Sequence, residues 1–97
     1  MEVQIQHKDK IITIIHMFLP LAKIYLFESY VGGDYTFRDD IAIAIDAKEK
    51  IPVHVRGQIM NMITALNISR YINLVDFRWA SEDLQKAILV EGEEWKN

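Results

Sequence analysis

The chain has 97 residues, the size of a single domain spanning 1–97, with 51% apolar and 26% charged residues. That balance excludes a disordered chain. A net charge of −3, from 11 basic and 14 acidic residues, argues against a strongly basic nucleic-acid binder, because phosphate binding needs a positive face. With no cysteine, disulfide frameworks, cysteine-based zinc sites and thiol catalysis are excluded as well.

Ile11, Ile14, Ile15, Phe18 and Leu21 recur at helical spacing and predict a first amphipathic helix. Pro20 should end or kink it, because the residue before a proline disfavours the α region. The apolar stretch Ile11 to Phe27 is broken by His16, Pro20 and Lys23, so no membrane span is expected. Glu2, Gln4 and Gln6 do not form the basic start of a signal peptide, and the expected location is cytoplasmic. Lys23 to Phe27 (KIYLF) is short and rich in strand formers. Residues 28–38, with Gly32 and Gly33, read as a loop or a short turn of helix. Asp40 to Asp46 alternates strictly: Ile41, Ile43 and Ile45 share one face, and Asp40, Ala42, Ala44 and Asp46 the other.

Pro52 suits the first turn of a second helix, whose stripe is Ile59, Met62, Ile63 and Leu66. Arg70 to Phe77 is a third strand. Ser81 is placed to cap a last helix, with Glu82 and Asp83 favourable to its dipole, Leu84, Ala87 and Ile88 inward, and Gly92 as a stop. The order α-β-β-α-β-α predicts an α+β (α/β) fold, a small mixed sheet flanked by helices.

The segment Leu26 to Asp46 (LFESYVGGDYTFRDDIAIAID) carries the chemistry. A strand runs into Ser29, a glycine-bearing loop follows, and a second strand opens on Asp40. Hydroxyls and loop N–H groups hold phosphates, and strand-borne carboxylates hold Mg²⁺. On the residues alone the plainer reading stands first: Ser29 as a turn residue, Asp40 as a solvated strand end.

The whole pattern resembles the minimal nucleotidyltransferases of the polymerase-β nucleotidyltransferase superfamily. Their signature is Phe-Gly-Ser, a loop with a second glycine, Ser-Asp-x-Asp opening the next strand, and a third Asp on a later strand. Phe27, Ser29 and Gly33 fall on the first part, Asp40 on the first Asp, and Ile72 to Phe77 (INLVDF) on the later strand. The resemblance runs from about Ile11 to Trp95. It implies a nucleotidyltransferase fold, with Ser29 and Gly33 as nucleotide-binding residues and Asp40 as the metal-binding and catalytic carboxylate.

The departures fall on the chemistry. Glu28 stands where the family has glycine, Ala42 at the second Asp and Asn73 at the third. Asp40 thereby loses its carboxylate pair, and a two-metal clamp loses most of its ligands. Asn73 keeps an oxygen but loses charge and basicity. A repulsive charge 4 Å from a phosphate costs about 1 kcal/mol in water and about 4 at an intermediate dielectric. Asp39 and Asp76 should face away from the site, Asp46 lies about 20 Å along the strand, and Asp34 is the one geometrically open substitute.

The resemblance implies a partner-binding, antitoxin-like subunit for an all-helical HEPN-domain protein, with transfer lost or reduced; Mg and ATP are the expected cofactors if the protein is active, and none if it is not. The alternatives are an active enzyme that moves AMP from Mg-ATP to a hydroxyl of a partner protein or small molecule, and a nucleotide sensor. A homodimer is a second assembly to consider. Residues 28–40 hold Glu28, Asp34, Asp39 and Asp40 against Arg38 alone, so the whole net charge lies in the loop where the family holds a triphosphate.

The remaining singled-out residues have plainer expectations. His7, His16 and His54 show no metal-ligand spacing. Met60 and Met62 are core filler. Trp79 packs under the last helix, and Trp95 either covers the core edge or anchors an interface. Tyr30, Tyr35 and Phe37 serve loop packing or a partner surface.

Overall fold

A computed structural model of the chain describes residues 7–28, 41–68 and 72–95. The helix α1 (Lys8–Phe18) is followed by the strands β1 (Lys23–Glu28) and β2 (Ile41–Asp46), then by α2 (Val53–Thr64) and β3 (Ile72–Asp76). A 3₁₀ turn (Phe77–Trp79), α3 (Glu82–Glu91) and a short strand β4 (Glu93–Trp95) complete it. The expected helices and strands are all present. The 3₁₀ turn and β4 are additions to the expected order.

Helix α1 stops where Pro20 predicts: the Leu19 N–H bonds Ile15 O at 2.8 Å, and the chain then leaves the α region. Ile11, Ile12, Ile14 and Ile15 form its buried face. Leu21 does not continue that stripe. It lies beyond the helix end, in the turn, and is 87% exposed. Pro52 is the N-cap of α2 rather than its first helical residue, with ψ still extended at 142°. Along α2, Ile59 and Ile63 are buried as expected, but Met62 lies at the edge of the stripe and is 37% exposed.

The sheet order is β3-β2-β1-β4. β2 pairs antiparallel with β1 and parallel with β3, and β4 pairs antiparallel with β1. All six residues of β2 are buried, because this central strand is covered on both faces. Its isoleucines join Ile24, Leu26, Ile72 and Leu74 beneath α1 and α2. Its alanines face α3 in a second cluster with Tyr25, Phe27, Phe77 and Ile88. The small side chains of Ala42 and Ala44 let α3 lie close to the sheet.

Ser81 caps α3: its Oγ accepts the Leu84 N–H at 3.1 Å. Gly92 ends the helix for a steric reason, not for a left-handed turn, since its φ is −78°. A Cβ there would sit 2.5 Å from Ile88 O and 3.2 Å from Leu26 O, in the crossing between α3 and β1. The chain then enters β4, which buries Trp95 opposite Ile24 in the main core. Trp95 thus covers the core edge. Trp79 is a correction: it is 69% exposed and lies beneath the Lys50 ammonium at 4.3 Å, not under α3.

Candidate nucleotidyl-transfer end of the sheet

The candidate site lies where β1 ends and the parallel strands β2 and β3 begin. The antiparallel register sets Phe27 beside Ala42, and the parallel register sets Ala42 beside Asn73. Cross-strand neighbours in register share a face, so Phe27, Ala42 and Asn73 form one lateral row on the α3 side. The two positions to which the sequence resemblance assigns carboxylates are therefore adjacent in space, although 31 residues apart in the chain.

Their environments differ. Ala42 is 2% exposed and packs in the apolar cluster with Tyr25, Phe27, Phe77 and Ile88. Asn73 is exposed at the outer strand. Ser29, Gly33 and Asp40, with Asp34, Asp39 and the aromatic Tyr30, Tyr35 and Phe37, lie outside the described residues. Glu28 closes β1 opposite Ile41.

The other acids of the sheet are engaged at the opposite pole. Asp46 shares the face of Ala42, as the alternation predicts, and is held by Arg78 through Nε at 2.8 Å and a terminal guanidinium nitrogen at 3.3 Å. The Lys48 N–H adds a bond to its Oδ1 at 2.9 Å. Asp76 lies opposite Ile45, on the other face from Asn73. Its Oδ2 accepts the Ile51 N–H at 2.8 Å, while its buried Oδ1 has no hydrogen-bond partner among the described residues. Neither carboxylate replaces the ones that Ala42 and Asn73 lack. A basic residue two positions after a strand-end aspartate was the sequence signal for this interlock, and sequence reasoning passed over it.

Among the described residues no three His, Asp or Glu side chains come together as a metal site. The described part of the row thus does not fit a divalent cation: it offers a buried methyl and an exposed amide where Mg²⁺ needs anionic oxygens. The histidines stand apart, with His16 Nε2–H donating to Ala22 O at 3.1 Å and His54 exposed. Tyr25 stacks on Phe77 with ring centroids 5.8 Å apart. Burial pushes its phenol pKa up, the Glu94 and Asp46 charges add to this, and Arg78 opposes it.

The sequence matches the polymerase beta nucleotidyltransferase family over residues 9–95. The chain belongs to that family. No curated protein matches it. Among solved structures, a chain from a mutant MntA–HpeT toxin–antitoxin complex is 27% identical with a TM-score of 0.69, over 92% of this chain and 72% of that one. A toxin–antitoxin structure with AMP-PNP contains a chain 28% identical at TM-score 0.70, covering 95% of this chain and 75% of that one. The complex of a tri-AMPylated Shewanella oneidensis HEPN toxin with its MNT antitoxin gives 27% identity and TM-score 0.67, over 92% and 69% of the two chains. Within the nucleotidyltransferase family, then, this chain keeps the fold, and the described part of its Ala42–Asn73 row lacks acidic side chains. No helix of the described residues is long and apolar enough to cross a membrane.

Proposed function

We propose that this nucleotidyltransferase-family chain is the partner-binding, antitoxin-type subunit of a HEPN-domain protein, with nucleotidyl transfer lost or reduced. The observation that carries the reading is the row Phe27–Ala42–Asn73, whose middle member is a methyl group sealed in an apolar cluster. A phosphoryl-transfer site depends on positioning and charge neutralisation by metal. A row that contributes no anionic oxygen leaves Asp40 as the sole carboxylate of the three that the resemblance assigns. The similarity to chains from toxin–antitoxin complexes supports the partner class. On this reading the protein is a single cytoplasmic domain and needs no cofactor.

A second reading is an active transferase that moves AMP from Mg-ATP to a hydroxyl of the partner, with Asp40 holding the metal and Ser29 and Gly33 holding phosphate. Family membership, the similar chain in a structure with AMP-PNP and the similar chain in a complex with a tri-AMPylated HEPN toxin favour it. Incubation with the HEPN-domain partner, labelled ATP and Mg²⁺ separates the two. The first reading expects complex formation without label transfer. Transfer that disappears in Asp40→Ala overturns it.

A further inference from the structure

The outer side of α3 and the strand that follows it carry charge of one sign. Residues 82–95 hold Glu82, Asp83, Glu91, Glu93 and Glu94 against Lys86 alone, and all six are exposed. Lys86 is paired with Glu82, 4.0 Å away and one turn back. Glu91, Glu93 and Glu94 have no ion pair among the described residues. The nearest other lysine, Lys8, has its Nζ over the Trp95 ring, 5.4 Å from the centroid. Lys23 and Arg78 lie toward the far end of β1, around Asp46. Five carboxylates against two ammonium groups leave a charge of −3 even with Lys8 counted.

The backbone adds to this field. A helix C-terminus carries roughly half an elementary negative charge, which basic residues normally offset. Helix α3 has no basic residue in its last turn and ends on Glu91. Ile88 O accepts the Gly92 N–H at 2.8 Å. Beyond it, the carbonyls of the last turn have no partner within the helix. The same turn is apolar on both sides. Ile88 points inward to the cluster of Ala42 and Phe77, whereas Leu89 is 58% and Val90 81% exposed. The outer pair is not covered by any element of the described residues.

The charge selects what can cover that pair. A second copy would set like charge against like charge, and a nucleic acid or an anionic lipid surface is repelled in the same way. A small cation would leave Leu89 and Val90 bare. We infer that the last turn of α3 and β4 form a docking face for a basic surface of the protein partner, with Leu89 and Val90 at the apolar centre and Lys or Arg side chains against Glu91, Glu93 and Glu94. An apolar centre within a charged rim is the usual anatomy of such a contact. The inference rests on the partner-binding reading and gives it a location. The partner is then held across α3 from Ala42, and its binding needs no access to that residue.

The test measures the affinity of the full chain for the HEPN-domain partner by calorimetry, at low and at physiological salt. One variant joins Leu89→Gln to Val90→Gln, and a second joins Glu91→Lys, Glu93→Lys and Glu94→Lys. Val53→Gln, at an exposed apolar position at the start of α2, is the control. The charge reversal should weaken binding by about a hundredfold and remove its salt sensitivity, because like charges then meet across the contact. The double glutamine variant should lose about tenfold and keep the salt sensitivity, and Val53→Gln should bind as wild type does. Lysines suit the C-terminal end of α3, so the charge reversal should not lower the thermal midpoint, which separates lost binding from misfolding. If it exposes Trp95, seen in the fluorescence, the double glutamine variant decides alone. Wild-type affinity in that double variant, or undiminished binding after charge reversal in a chain that keeps Trp95 buried, overturns the inference while the partner-binding reading stands. So does wild-type self-association in sedimentation that the double variant abolishes. Failure of the wild-type chain to bind removes the partner-binding reading, and this inference with it.

Discussion

Ala42→Asp restores by one substitution the carboxylate that the resemblance expects, and the packing sets its cost. The new group would enter a cluster of Tyr25, Phe27, Ala44, Phe77 and Ile88, at a position only 2% exposed. Burial of that degree raises a carboxyl pKa by roughly three units. At about 1.4 kcal/mol per unit, the ionised form at pH 7 is disfavoured by about 4 kcal/mol. The extra volume adds about 1–3 kcal/mol. Against a total stability of about 5–15 kcal/mol, the variant should lose a large share of its resistance to urea. The pH dependence has a definite sign. The introduced carboxyl has a folded pKa above its unfolded value of about 4, so stability is retained below that value and lost as pH rises through the folded one. Urea unfolding followed by circular dichroism should therefore show a larger deficit at pH 7 than at pH 4. Midpoints equal to wild type at pH 7 would refute the sealed-row argument, because they would mean that the side chain reaches water. Recovery of Ala42→Asp combined with Asn73→Asp on adding Mg²⁺ would show that the row can still hold a cation.

Gly92→Ala should destabilise the fold by roughly 1–3 kcal/mol, the usual range for overpacking, and release β4, because its Cβ meets Ile88 O at 2.5 Å. Loss of Trp95 fluorescence burial would report it. Arg78→Ala leaves the largely buried Asp46 carboxylate with the Lys48 N–H in place of an ion pair. The expected loss is about 2 kcal/mol, below the full cost of orphaning a buried ion because Arg78 is half exposed, and thermal unfolding measures it. Gly57→Ala should stabilise α2 by about 0.5–1 kcal/mol, since a helical glycine carries that penalty and its Cβ would meet nothing within 4 Å. Tyr25→Phe should flatten the alkaline limb of stability. The folded phenol pKa is raised, so its contribution is intact below about pH 10 and lost as pH rises through the folded value, and chemical denaturation across that range compares the two proteins.

Much of this protein is legible in the sequence because its elements are amphipathic. The alternation of Ile41, Ala42, Ile43, Ala44 and Ile45 states that β2 has two different faces, and period 2 allows no other assignment. Pro20 ends α1 and Ser81 caps α3 by chemistry within a few residues of chain. That Ala42 and Asn73 belong to one site was implied by the resemblance alone, and the parallel register of β2 and β3 is what sets them side by side.

Only the tertiary structure decided what covers each face. The three residues of β4 form a strand because β1 offers an open edge, and no local pattern in Glu93–Trp95 announces it. Trp95 is buried and Trp79 exposed, although both are tryptophans near the last helix; the difference is the side of the sheet to which each is delivered. Leu21 fits a helical stripe by spacing but falls beyond the proline, where it faces water. Whether Ala42 opens to a nucleotide or closes under Phe77 and Ile88 depends on how near α3 lies. Periodicity records which residues prefer burial, whereas the partner that buries them is a property of the assembled sheet.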